Sequence, residues 1–224
     1  HATLYEATMT NAYLGRASLV SANLESADLT GANFGRADLT DAILGRATLV
    51  RATLQGTILT DASLGRAELS RANLFKADLT GAYLGRATLR DTRFEAATLT
   101  DANLGHADLT DANLHHAVLP GSNLGRAELV DANLEDADLA GSNLANAILT
   151  GADLDGATLS GANLRRVDLT DATLEGAELA DADLRRATLR NASLAEIALV
   201  EASLQRADLT GTDLRDGNLS GCDL

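Results

Sequence analysis

The sequence predicts an all-β solenoid built of four-sided coils, and two periods predict it, one of five residues and one of twenty. Every fifth residue from Leu4 to Leu224 is Leu except Met9, Phe34 and Phe94, and the residue two places earlier is nearly always Ala. Neither an insertion nor a deletion breaks this register, so internal repetition decides the architecture before local propensity does. The stretch 101–119 shows the rule in Ala102-Asn103-Leu104, Ala107-Asp108-Leu109 and Ala112-Asn113-Leu114.

The five-residue period excludes a helix. A helix turns about 100° per residue, so a Leu every five residues walks about 140° per step and leaves no apolar stripe. A long flat strand fails as well, because side chains alternate faces and an odd repeat sends successive Leu residues to opposite sides. Ala and Leu two apart point the same way on a short extended segment, and the next two residues form a corner. The predicted core is therefore Leu104, Leu109, Leu114, Ala102 and Ala107 with their equivalents, and Phe34 and Phe94 in one column of that core.

The corners carry turn residues. Leu119-Pro120-Gly121-Ser122 has Pro second and Gly third, which suits a type II turn. Leu-Gly-Arg corners move Gly one place earlier, which predicts a second turn geometry mixed with the first. The twenty-residue period is read from Gly45-Arg46, Gly65-Arg66, Gly85-Arg86 and Gly125-Arg126, with Gly105-His106 in the gap. Four units per coil follow, giving about eleven coils stacked at roughly 4.8 Å and a rod about 50 Å long. Gly15-Arg16 and Gly35-Arg36 are displaced by ten residues from that column, which predicts a phase shift near the start.

Ala-Asn-Leu and Ala-Asp-Leu units such as 22–24, 27–29, 72–74, 77–79, 102–104 and 107–109 resemble those of the pentapeptide-repeat proteins along the whole chain. The resemblance implies a right-handed quadrilateral β-helix with Leu or Phe at the central inward position and a small residue at the other. It implies no single function. One branch of the family comprises acidic rods that mimic DNA, bind type II topoisomerases and protect them from quinolones. That branch is usually richer in Cys and Phe inside and often ends in a helix for dimerisation, features this sequence does not show.

Composition predicts one folded domain over 1–224 and no disorder, with 46% hydrophobic residues and one Pro. No apolar run is long enough for a membrane span, and no signal-peptide core is seen, which points to a cytoplasmic protein whose first residue, His1, leaves the native start open. The single cysteine, Cys222, falls at a small inward position and substitutes for Ala. Thr57 and Thr92 replace Ala inside, where each hydroxyl needs a backbone partner. No cofactor is expected.

Outside, one corner column is basic, with Arg46, Arg66, Arg86, His106, Arg126, Arg166, Arg186 and Arg206, broken only by Asn146. Its expected compensation is a ladder of ion pairs to Glu68, Asp108, Glu128, Asp168 and Asp208, the alternative being an anion-binding edge. Asp91, Asp111, Asp131 and Asp171 form an acidic column, and the net charge of −14 disfavours direct nucleic-acid binding. Ile43, Ile58, Phe75 and Tyr83 form the candidate apolar contact patch. The adjacent His115 and His116 suggest a metal, but His115 stands between Glu95 and Glu135 with no second His in its column, so a hydrogen-bonded or solvated pair without metal is expected.

A core filled from four walls leaves no pocket where acid, base and nucleophile converge, so the sequence predicts no enzyme. It predicts a noncatalytic structural or protein-binding module. The alternative is a DNA mimic directed at a type II topoisomerase such as DNA gyrase. The open terminal coils further predict a homodimer formed end to end through Leu219 and Leu224.

Overall fold

A computed structural model describes residues 2–224 as one uninterrupted right-handed β-helix of square cross-section. The coil period is twenty residues: parallel bridges join each outward residue to the one twenty positions on, from Thr3↔Asn23 to Ser203↔Asp223. No phase shift occurs. Tyr13 pairs with Asn33 and Asn33 with Thr53 in the common register, and Gly15-Arg16 and Gly35-Arg36 occupy the corner diagonally opposite the later arginines. No helix among the described residues is long and apolar enough to cross a membrane.

The backbone donors bond between coils, across each turn and to side chains. In the unit 102–106, Ala102 N–H donates to Leu99 O across the turn (3.0 Å), Asn103 N–H to Ala82 O in the preceding coil (2.9 Å), and Leu104 and His106 N–H to Asn123 O and Gly125 O in the following coil (2.7 and 3.0 Å). The fifth donor, Gly105 N–H, is taken by Asn103 Oδ1 at 3.0 Å. The Asn or Asp of each Ala-Asn-Leu or Ala-Asp-Leu unit thus caps the amide two residues on, an Asx turn that closes the unit's donor inventory.

One turn geometry serves every corner, which corrects the expectation of two. The third residue of the corner has positive φ whether it is Gly, as at Gly121 (67°), or not, as at Arg46 (59°) and Asp111 (59°). In Leu-Gly-Arg corners the Arg takes that conformation and the Gly does not. Those glycines answer a steric need instead. A Cβ on Gly105 would lie 3.2 Å from Asn103 Oδ1, and one on Gly85 would lie 2.6 Å from the Tyr83 hydroxyl. Side chains leaning from the face across the corner require bare backbone beneath them.

Between Ala22 and Ala202 the inward residues are at most 1% exposed, including Leu104, Leu109, Leu114, Ala102, Ala107, Phe34 and Phe94 at 0%. Each buried Leu contributes about 1.5–3 kcal/mol. Thr57 and Thr92 find their partners, donating to Phe34 O at 2.8 Å and Leu69 O at 3.0 Å. Ser122 and Ser142 also replace Ala inside, and their hydroxyl oxygens are buried without a partner. Cys222 is half-buried with Sγ 2.8 Å from Leu199 O, and burial pushes its thiol pKa up.

Candidate functional site

The basic corner is where the structure departs most from expectation. Arg46, Arg66, Arg86, His106, Arg126, Arg166, Arg186 and Arg206 line one edge of the rod, all exposed and all at φ between 57° and 62°. Among the described residues none of them lies within 4.0 Å of a carboxylate, so the ion-pair ladder to Glu68, Asp108, Glu128, Asp168 and Asp208 does not form.

The reason is local. At Glu68, Asp108, Asp168 and Asp208 the carboxylate is captured by the amide two residues on, which turns it away from the preceding corner. Asp108 Oδ1 accepts Thr110 N–H at 3.1 Å and the Thr110 hydroxyl at 2.7 Å, and its other oxygen meets Arg90 Nε at 2.6 Å. Arg90 stands one coil before Thr110 in the same column. Asp208 repeats this with Thr210 and Arg190, and Asp168 binds Thr170. Partial burial pushes the Asp108 pKa up, but the bonds from Thr110 and Arg90 outweigh it and the net shift is downward. Hydrogen bonds from the Thr210 hydroxyl, Arg190 and Thr210 N–H hold Asp208 down at about 2. The Ala-Asp-Leu-Thr units at 27–30, 37–40 and 77–80 show the same hydroxyl bond at 2.7 Å, so much of the acidic surface is turn chemistry.

Beside the basic corner runs a shallow groove. Its floor is the backbone of Gly105, Gly125 and Ala145; one wall is a ladder of asparagines, and the rim is Arg86, His106, Arg126 and Asn146. Asn123, Asn143 and Asn163 each donate from Nδ2 to the Oδ1 one coil before, at 3.3, 2.9 and 3.0 Å. The segment closed at one end by Tyr83 encloses about 450 Å³. The Tyr83 ring lies across Gly65 and Gly85, and beyond it the groove continues past Ser63, Arg66, Gly45 and Arg46. Tyr13, Gly15, Arg16, Gly35 and Arg36 repeat the arrangement on the opposite corner.

The apolar patch divides. Ile43 and Tyr83 remain in one column and Ile58 on the adjoining face, exposed at 43%, 48% and 42%. The Tyr83 ring turns to the arginine side, and Phe75 sits under Lys76 Nζ, 5.0 Å from its ring centroid. Asp91, Asp111, Asp131 and Asp171 are exposed on the corner next to the arginines. Gly151 interrupts that column, Asp91 meets Arg71 at 3.4 Å, and Asp171 accepts from Asn191 at 3.1 Å. The asparagine ladder escaped the sequence reading, although Asn at 103, 123, 143 and 163 with period twenty was its visible signal.

The family described as "Pentapeptide repeats (8 copies)" matches residues 1–36, 32–71, 56–91, 77–115, 87–126, 107–144, 127–166, 168–202 and 189–224. Among solved structures, the chain is similar to HetL, a pentapeptide repeat protein involved in heterocyst differentiation regulation from the cyanobacterium Nostoc sp. strain PCC 7120, at 33% identity over 92% of this chain and 90% of that one, with a TM-score of 0.41. It is similar to the pentapeptide repeat protein Rfr23 from the cyanobacterium Cyanothece 51142 at 35% identity over 45% of this chain and 58% of that one, TM-score 0.32. It is also similar to QnrB1, a plasmid-mediated fluoroquinolone resistance protein, at 18% identity over 79% of this chain and 88% of that one, TM-score 0.48. No curated protein sequence matches it.

Proposed function

We propose, for a chain that belongs to the pentapeptide-repeat protein family, that it is a noncatalytic protein-binding rod whose working surface is the arginine corner and the groove beside it. The observation that carries this reading is a row of arginines without carboxylate partners in a protein of net charge −14. Like charges stacked at coil spacing repel, and among the described residues no carboxylate lies within 4.0 Å of them. The fitting partner is an acidic protein segment. A polyphosphate would meet repulsion from Asp91, Asp111 and Asp131 on one side of the arginines and Asp41, Asp61 and Asp101 on the other. A protein segment can place acids against the arginines and bases against those flanks.

The test is binding of a fluorescent polyglutamate peptide. The parent should bind with strong salt dependence, and the variant combining Arg66→Ala, Arg86→Ala and Arg126→Ala should lose binding while melting like the parent. Equal binding by both proteins overturns the reading. The alternative, mimicry of DNA toward gyrase through the acidic column, draws on the net charge and is opposed by Gly151 and Arg71 within that column. A supercoiling assay that responds to the parent and not to its Asp91→Asn, Asp111→Asn, Asp131→Asn, Asp171→Asn variant would favour it. End-to-end pairing would appear in light scattering as a dimer mass that Leu219→Lys with Leu224→Lys reduces to a monomer.

A further inference from the structure

Diagonally across the rod from the arginines, one corner gathers two imidazoles and two carboxylates from successive coils. His115 and His116 occupy the second and third places of a corner, and Glu135 and Asp136 occupy the same places one coil on. The column of His115 holds Glu95 and Glu135 and no second histidine; the second imidazole stands in the neighbouring column. One nitrogen of each histidine and one oxygen of Asp136 lie within 4.8 Å of one another. His115 Nε2 is 3.6 Å from Glu135 Oε2, and His116 Nδ1 is 3.7 Å from Asp136 Oδ2. The ring centroids are 3.8 Å apart.

These spacings are too long for hydrogen bonds. They are close to the edge of a tetrahedron around a divalent ion, about 3.4 Å for ligand bonds of about 2.0–2.1 Å. We propose that His115, His116, Glu135 and Asp136 form a binding site for a late first-row divalent cation of the zinc class. The donor set of two imidazole nitrogens and two carboxylate oxygens selects such an ion over magnesium or calcium, and its two negative charges neutralise the ion.

The backbone beneath the site is fixed before any ion arrives. His116 N–H donates to Glu135 O at 3.0 Å, while His115 N–H and Glu135 N–H are held by Asn113 Oδ1 and Asn133 Oδ1 at 3.1 and 2.9 Å. The four ligand groups sit on exposed or half-buried side chains above this fixed backbone. An unpaired acceptor lies in the same column. Glu95, one coil before His115 in the same column, spends one oxygen on Arg93 Nε at 3.0 Å and keeps Oε2 buried without a partner. A metal-bound imidazole offers its other N–H to an outer carboxylate of that kind. Asp155, one coil after Glu135, adds negative potential.

The test is calorimetric titration of the full chain, free of any affinity tag, with zinc chloride and separately with cobalt chloride read by its visible absorption. One ion per chain is expected, undisplaced by excess magnesium. His116→Ala or Asp136→Asn should weaken binding at least about tenfold, His115→Ala with His116→Ala should abolish it, and Glu95→Gln should weaken it about 10–100-fold through the outer contact. His106→Ala on the opposite corner should change nothing. All variants should keep the parent's circular dichroism, since the changed groups lie outside the core. Absence of saturable zinc binding by the folded parent, or binding that His115→Ala with His116→Ala leaves intact, overturns the proposal.

Discussion

Asn143 donates from Nδ2 to Asn123 Oδ1 at 2.9 Å, and that same Oδ1 accepts the N–H of Gly125 at 3.1 Å. One oxygen thus closes a turn within its own coil and ties that coil to the next. Because each Oδ1 faces its own corner amide, each Nδ2 is left to point down the rod, and the ladder from Asn103 to Asn163 runs in one direction. Asn143→Ala frees the Ala145 amide and removes both ladder bonds of Asn143. A loss of about 1–3 kcal/mol in urea unfolding is expected. Asn143→Asp keeps the acceptor and loses the donor, so it should fall between parent and Ala. An Ala variant as stable as the parent would refute the ladder as a stabilising element.

The inward hydroxyls make an opposite pair of predictions. Thr57 donates to Phe34 O, whereas the hydroxyls of Ser122 and Ser142 are buried with no partner. Ser122→Ala and Ser142→Ala should each raise stability by about 1 kcal/mol, because an unpaired buried hydroxyl carries its full desolvation cost. Thr57→Val keeps the volume and loses the bond, and should cost about 1 kcal/mol. Thermal melts of the three variants decide; a destabilised Ser122→Ala would mean that its hydroxyl does find a carbonyl.

The path of the chain was legible in Leu104, Ala102 and their equivalents, because a burial period of five with a twenty-residue echo admits one way to close the coils. The corner geometry was misread at Gly105 and its equivalents. A glycine suggests positive φ, yet here it makes room for Asn103 and leaves the positive φ to His106. The surface pairs were misread at Asp108 for a similar reason. Column neighbours can be counted from sequence, but a backbone amide two residues on outcompetes an arginine across the corner, and no column count reveals that contest. The proximity of His115, His116 and Asp136 shows only when two columns are read together, which the period of a single column conceals.

Ala96 isolates the backbone cost of a corner. Its φ is 55°, and it has neither the polar side chain that eases this conformation in Asn or Asp nor the freedom of Gly. Ala96→Gly should stabilise the protein by about 1 kcal/mol, measured as a rise in urea midpoint at unchanged slope. Gly85→Ala tests the other corner place, where φ is ordinary and space is lacking. Its Cβ would fall 2.6 Å from the Tyr83 hydroxyl, so the ring must leave the groove and Tyr83 should become more accessible to quenchers.

Acid should loosen the rod in a defined window. Asp208 is held at about 2 by the Thr210 hydroxyl first, then by Arg190 and the Thr210 amide, against an ordinary value of 3.8. The Thr30 and Thr40 hydroxyls draw Asp28 and Asp38 down in the same direction, and Arg215 does so for Asp213. A carboxyl with depressed folded pKa binds its proton less readily folded than unfolded, so its contribution is complete above the ordinary value and disappears as pH falls through the folded one. The urea midpoint should therefore decline between 3.8 and about 2. Carboxyl NMR titration should place Asp208 at about 2 in the parent. Thr210→Ala removes the leading cause and leaves the amide and the ion pair in place, and should raise the Asp208 pKa more than Arg190→Gln does. The reverse order would show that the ion pair, instead of the turn hydroxyl, governs this carboxylate.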